Sequence, residues 1–306
     1  MDKTKDIAEK APSKVKSYMV FTKFRLSALV VVSAVSGYLF MGGSGLKELL
    51  LLIVGGTLVT AASNGSNQIW ERELDKKMNR TAKRPLPQGH MSVNEAYTVV
   101  IVCLLVGSAM LAMLNLYSAL LGLAAFISYV FIYTPMKRKS PWAVFVGAFP
   151  GAIPPMLGAV AASTEVNPEN VYGDFTLVSG ILFFVQFVWQ FPHFWAIAWV
   201  AFDDYKAGGF SLLPSKEGKS KNSAFQIAVY ALLLIPFSLM PWILGWTGWT
   251  SMVLATLLGA AFFWYSYKLF LSCEDKDAKR VMFASFLYLP VIQFLYVFDK
   301  AEGFIP

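Results

Sequence analysis

Long apolar runs separated by short polar segments make up most of this chain. Runs long enough to cross about 30 Å of hydrocarbon lie near 26 to 42, 48 to 66, 95 to 113, 117 to 134, 142 to 162, 175 to 200, 224 to 244, 249 to 270 and 282 to 299. The pattern predicts an all-α membrane bundle of nine transmembrane helices. The densest polar segment, Asn64 to Gly89 (NGSNQIWERELDKKMNRTAKRPLPQG), directly follows the second run, which puts amide, carboxylate and cationic groups at a membrane boundary. Within it Asn67, Glu71 and Asp75 recur every fourth residue. On a helix each step drifts about 40° and rises about 6 Å, so the three oxygen-bearing side chains can face one guest.

Composition agrees with a membrane solvent. Mean hydropathy is +0.54, and 15% of residues are charged, against roughly 25% in soluble domains. With the N-terminus in the cytoplasm and the C-terminus outside, all but three of the 26 basic residues (Lys47, Lys268 and Lys300) fall in inner segments. That asymmetry satisfies the positive-inside rule. The outer loop after 162 carries Glu165, Glu169 and Asp174 and no cation. The net charge of +7 therefore reads as topology and attraction to membrane lipid, and the spans argue against a nucleic-acid role. Residues 1 to 25 lack an apolar core and carry Asp2, Asp6 and Glu9. They fit neither a secretory signal nor an acid-poor transit peptide, so the chain reads as one domain, 1 to 306, with a cytoplasmic N-terminal segment in a bacterial plasma membrane. Cys103 and Cys273 lie in different helices and form no metal or disulfide pattern.

The second and sixth spans each run into a charged inner loop, 67 to 90 and 203 to 221. Two four-helix halves plus a ninth helix would bring these loops together over one cavity. Carboxylates at such a boundary suit Mg²⁺, which substrate phosphates usually complete. Arg72, Lys76, Arg80, Lys83 and Arg84, with Lys137, Arg138 and Lys206, could supply charge-assisted donors. An anionic head with an apolar tail in the bundle is the ligand this arrangement predicts. Pro85 and Pro87 are expected to extend the backbone and hold Arg80 and Arg84 over the helix end.

At these residues the chain resembles the UbiA-type intramembrane prenyltransferases, whose motifs are Asn-x-x-x-Asp-x-x-x-Asp and Asp-x-x-x-Asp. Within them it is most similar to the heme-farnesylating branch. That likeness runs through NQIWERELDKKMNRTAKRPLPQG, YTPMKRKSPW at 133 to 142, GAFPGAIPPMLG at 147 to 158, and WQFPHFWAIAW at 189 to 199 followed by DDYKAGGFSLLP. Two features depart from the wider family. Glu71 stands where other branches carry Asp, and Asp203 and Asp204 are followed at the fourth positions by Ala207 and Gly208. The number of Mg²⁺ ions, and which of Asp203 and Asp204 touches metal, stay open.

The resemblance implies that farnesyl diphosphate loses diphosphate, that the allylic cation adds to a vinyl group of heme B, and that water completes the product, heme O. It assigns Asn67, Glu71, Asp75, Asp203 and Asp204 to metal and catalysis, and leaves open whether a heme A synthase receives the product. Tyr129, Tyr133, Trp70 and Trp189 are candidates for sheltering a carbocation, and Asn64 joins the predicted heme or prenyl lining. His193, an intramembrane polar residue after Pro192, lies about 15 Å deeper than Asp203 at helical rise. A contact to heme is expected, against a rival reading of a hydrogen bond to a neighbouring helix, with Gln186 or Gln190 as candidate partners. Gly147, Gly151 and Gly158 fit close helix approach, and Pro154 and Pro155 are expected to break their helix. Two other functions fit less well. One is prenylation of a quinone precursor. The other is anion transport, which places ionisable groups nearer the midplane.

Overall fold

The computed structural model describes residues 13 to 163, 177 to 302 and 304, and among them the regular structure is all helix. The acidic loop with Glu165, Glu169 and Asp174 lies outside the described residues, as do residues 1 to 12. The helices are α1 (Lys14–Phe21), α2 (Phe24–Phe40), α3 (Leu46–Asp75), α4 (Val93–Ala112), α5 (Leu116–Ile127), α6 (Thr134–Met136), α7 (Ala143–Ala162), α8 (Leu177–Val200), α9 (Phe202–Ala207), α10 (Lys221–Ile243), α11 (Trp249–Ser272) and α12 (Asp275–Phe298). A π-helical turn, Ser128–Tyr133, joins α5 to α6. Among the described residues eight segments are long and apolar enough to cross a membrane, and α1 with α2, bent by 45°, makes a ninth.

The polar loop end follows from helix length. At 30 residues, α3 extends about 45 Å, beyond the roughly 30 Å hydrocarbon thickness, so its last turns carry the first motif out of the apolar layer without leaving the helix. Its other side packs closely on α4 because Gly55 and Gly107 face each other; a methyl on Gly107 would stand 2.9 Å from the Gly55 carbonyl oxygen. The start of α4 is held by a capping box between Ser92 and Glu95. Glu95 also accepts from Lys14 and Tyr18, tying α1 to the same corner.

Lipid tails are as apolar as leucine, so packing and hydrogen bonds between helices hold such a bundle together. Pro150, Pro154 and Pro155 lie inside α7, which nonetheless runs unbroken from Ala143 to Ala162; the break expected at the Pro pair does not occur. The reason is visible next door. Pro155 has no N–H for the Gly151 carbonyl, and Gln186 of α8 donates to that oxygen instead, at 2.6 Å. Gln190 donates to the Ala148 carbonyl, and Gln293 of α12 to Gln186. The predicted small residues serve this face one by one. Gly147 leaves room for the Tyr133 ring, Gly151 for the Gln190 amide, and Gly158 for the α2 backbone at Ala34.

Two apolar clusters result. Leu52, Val59, Val100, Leu111 and Phe126 centre the N-terminal one, and Trp199, Ile227, Leu234, Phe262 and Tyr288 the other. Large apolar side chains such as Leu105, Leu257 and Phe283 remain exposed on the outside, as a lipid-facing surface requires.

Candidate active site

The first motif is helical through Asp75, and its three residues are buried where the apolar layer ends: Asn67 is 2% exposed, Glu71 6% and Asp75 0%. Four-residue spacing places them on one face, and the amide of Asn67 donates to Glu71 Oε2 at 2.5 Å. Opposite them stands Lys137, brought in by the π-helical turn. One extra residue in that turn lets the Thr134 N–H reach back to the Tyr129 carbonyl, which re-aims the next side chains. Thr134 Oγ1 and Lys137 Nζ thereby meet Asn67 Oδ1 at 3.3 and 2.7 Å, and Lys137 also pairs with Glu71 Oε1. That oxygen finds no partner with hydrogen-bond geometry, so the attraction is an ion pair. Burial holds the Lys137 ammonium below its ordinary pKa, with Glu71 pulling in the opposite direction.

One turn further on, Asp75 Oδ2 accepts from Arg84 at 2.7 Å, while Oδ1 is buried without a partner. Arg84 comes back over the helix end because the loop is wound rather than extended. Successive turns run through Thr81, Arg84, Gln88 and His90, and Thr81 Oγ1 caps the Asp75 carbonyl. The extended backbone expected at Pro85 and Pro87 is therefore absent, although the predicted position of Arg84 is reached.

The second loop enters through Asp204, whose two carboxylate oxygens accept from the backbone N–H groups of Asn79 and Arg80 at 3.2 and 3.1 Å. Tyr205 follows, with Arg80 donating to its hydroxyl and lying over its ring. Asp203 is exposed. The two loops do meet, as their spacing predicts, but the meeting is a latch. Among the described residues no three His, Cys, Asp or Glu side chains converge, so Asp203 and Asp204 do not join Glu71 and Asp75 in one carboxylate cage.

The predicted cations separate into two sets. Lys137 and Arg84 meet the cluster, whereas Arg80 is exposed and turned to Tyr205. Arg72 and Lys76 pair with Glu73 on the exposed side of α3, and Lys83, Arg138 and Lys206 are exposed. The aromatic candidates separate too. Tyr129 and Tyr133 meet with ring centroids 5.2 Å apart at a 45° tilt, and Lys137 lies over the Tyr133 ring. Trp70 is 56% exposed and belongs to the outer surface, not to a shelter for a cation. Asn64 turns to Ser27 of α2. Sequence reasoning missed Thr134 and Tyr205.

Deeper in the bundle, His193 is buried, stacked on Trp189 at 4.3 Å, and bonded through Nδ1 to Ser285 Oγ at 2.7 Å. The neighbouring-helix bond exists, but to Ser285 of α12 rather than to either glutamine. Ser285 gives its hydroxyl proton to the Met282 carbonyl at 2.6 Å. Nδ1 is then the protonated ring nitrogen, and Nε2 keeps its lone pair. Trp189 Nε1 donates to the Ser285 carbonyl, so tryptophan and histidine are fixed by one residue.

A bundle of membrane-spanning helices with a buried amide, two carboxylates and their cations at one end defines the class: the chain belongs to the UbiA prenyltransferase family, which matches residues 29–289. It is similar to the protoheme IX farnesyltransferase of Cytophaga hutchinsonii, 44% identical over 291 residues that cover 94% of this chain and 99% of the relative. Solved structures share the fold. A digeranylgeranylglyceryl phosphate synthase matches with a TM-score of 0.75 at 19% identity, covering 94% of this chain and 98% of that one. A UbiA homolog from Archaeoglobus fulgidus bound to GPP and Mg²⁺ matches with a TM-score of 0.60 at 15% identity, covering 92% and 99%.

Proposed function

We propose that this chain transfers a farnesyl group from farnesyl diphosphate to a vinyl carbon of heme B in a bacterial plasma membrane, giving heme O and diphosphate. The carrying observation is the set of buried Asn67, Glu71, Asp75 and Lys137 with partly buried Arg84 at the end of an apolar bundle, in a chain 44% identical to a protoheme IX farnesyltransferase. The carbon–oxygen bond of farnesyl diphosphate breaks with both electrons going to diphosphate. The allylic carbon then bonds to the terminal vinyl carbon, and water supplies the hydroxyl to the other carbon and releases a proton. A heme A synthase would be a consumer of the product.

The donor set fits a divalent ion. Asp75 presents a buried oxygen without a partner, and Glu71 Oε1 and Asn67 Oδ1, which face Lys137, lie on the same side of the helix. These three residues would hold Mg²⁺, which supplies charge neutralisation on the diphosphate. The chain's own part is then defined. Lys137 and Arg84 are preorganised donors beside these oxygens, where a departing diphosphate gathers charge. Tyr129 and Tyr133 offer ring faces to an allylic cation, worth about 0.5 to 2 kcal/mol each in a dry site. His193 supports a heme contact, since a neutral imidazole with Nδ1–H held by Ser285 presents Nε2 as an iron ligand.

Incubating the purified protein with heme B, farnesyl diphosphate and Mg²⁺ should yield a porphyrin whose mass has gained a farnesyl group and one hydroxyl. An unchanged porphyrin, in preparations that prenylate a quinone precursor, would assign the chain to a different acceptor.

A further inference from the structure

Two helical turns beyond His193, on the side away from the carboxylate cluster, the bundle carries a second polar pair. Gln186 lies seven residues before His193 on α8, so the two share one face of the helix, about 10 Å apart along its axis. Gln293 of α12 donates to Gln186 Oε1 at 2.7 Å, and Gln186 donates onward to the Gly151 carbonyl of α7 at 2.6 Å. Gln186 and Gln293 are each 4% exposed. Residues 143–162, 177–200 and 281–298, the stretches that meet here, contain no Lys, Arg, Asp or Glu.

Direction matters in this run of amides. A carbonyl can only accept, so Gly151 fixes the Gln186 NH2 toward itself and the Gln186 oxygen toward Gln293. Gln293 must then donate, and its own oxygen is left over: Oε1 is buried with no hydrogen-bond partner among the described residues. Gln186 has a structural duty, since it replaces the donor that Pro155 lacks. Gln293 has none of that kind, because its one hydrogen bond ends on another side chain. An amide kept in an apolar layer with an unanswered acceptor is costly, and it points to a ligand.

Prenyl transfer fixes how heme would lie against this pair. The allylic carbon is bonded to the diphosphate, so the reacting vinyl group must face the Glu71 and Asp75 end of the bundle. Heme B carries its vinyl groups on one half of the macrocycle and its two propionates on the other. With the iron at His193, the propionate edge points away from that end, and the rise from His193 to Gln186 is close to the reach of a propionate from the iron. We propose that Gln293 recognises one propionic acid of the porphyrin in its protonated, uncharged form. The acid O–H donates to Gln293 Oε1 and the acid carbonyl accepts the second Gln293 N–H, two hydrogen bonds that bring no charge into the apolar layer. Gln186 is the positioning residue that sets the direction of that amide. The inference rests on the heme-farnesylation reading and on the His193 contact.

Heme B is compared with its dimethyl ester, which keeps the iron and the vinyl groups and lacks the acid O–H. Full-length wild type and Gln293→Met are assayed with both acceptors. In wild type the ester should show a KM about tenfold above that of heme B, the loss of one to two hydrogen bonds. In Gln293→Met the heme B KM should rise about tenfold, while the ester KM and the farnesyl diphosphate KM stay within about twofold of wild type. A merely structural Gln293 would shift both acceptors together. That result, or a variant that still prefers the acid as strongly as wild type does, would overturn the assignment and leave the free oxygen to a buried water. A second measurement needs no variant. Infrared difference spectra of wild type with heme B isotope-labelled at the propionate carboxyls should contain the carbonyl band of a protonated acid; carboxylate bands alone would equally defeat the proposal. A wild type that farnesylates neither porphyrin would instead remove the heme reading beneath it.

Discussion

At the end of α3, Glu71 and Asp75 are nearly inaccessible and each meets one cation, Lys137 and Arg84. At the end of α8, the comparable carboxylates do something else: Asp203 faces outward, and Asp204 holds two N–H groups of the opposite loop. Both loops follow a long apolar helix and both are rich in Asp, Lys and Arg, so composition alone makes them look equivalent. Burial distinguishes them. Removing a carboxylate from water is costly unless a cation or a bound ion compensates it, and the first pair meets that need with Lys137 and Arg84, while Asp204 fastens two loops at the water boundary.

The sharpest way to break this comparison is to neutralise each pair. Glu71→Gln with Asp75→Asn should lower turnover on the order of a thousandfold or more, measured as heme O formed per minute, with the bundle still folded by circular dichroism. Asp203→Asn with Asp204→Asn should leave turnover within about tenfold. Equal losses from the two pairs would mean that both loops hold the reacting groups. Next in size is Lys137→Met, which leaves Glu71 buried without its cation. Thermal unfolding in detergent should show a loss of about 3 kcal/mol, and combining it with Glu71→Gln should restore part of that loss. If the double variant is no more stable than the single, the ion pair is not what holds α3 to the π-helical turn.

A smaller effect is expected from Asp204→Asn alone. It weakens two charge-assisted hydrogen bonds, about 1 to 2 kcal/mol together, and should speed proteolysis of residues 76 to 90 while leaving the KM for heme unchanged. His193→Ala should raise the heme KM about tenfold and leave the farnesyl diphosphate KM within twofold; equal shifts in both would remove His193 from the heme side of the site. The smallest change belongs to the cations that face away. Arg72→Ala and Arg138→Ala should each stay within twofold in every kinetic constant, consistent with an exposed pair to Glu73 and an exposed position.

Much of the site was legible because its first half is local. Asn67, Glu71 and Asp75 lie on one helix, so spacing alone puts them on one face. The spans were legible for the same kind of reason, since hydropathy is a property of consecutive residues. The departures occur where a distant partner decides. Pro154 and Pro155 read as a break until Gln186, from another helix, supplies a donor to the Gly151 carbonyl. His193 reads as pairing with a nearby glutamine, but its partner Ser285 lies 92 residues away. Arg72 and Lys76 share the segment of Arg84, and their direction around the helix turned them toward Glu73 instead of the cluster.

Order along the chain was sufficient for the membrane bundle, the face of the first motif and the family, because each depends on residue identity within a few turns. Which carboxylates lose water, which cation meets each of them, and which loop becomes a latch depended on contacts between residues 70 and 124 positions apart. Ion pairing and desolvation act through space, and no local pattern encodes that distance.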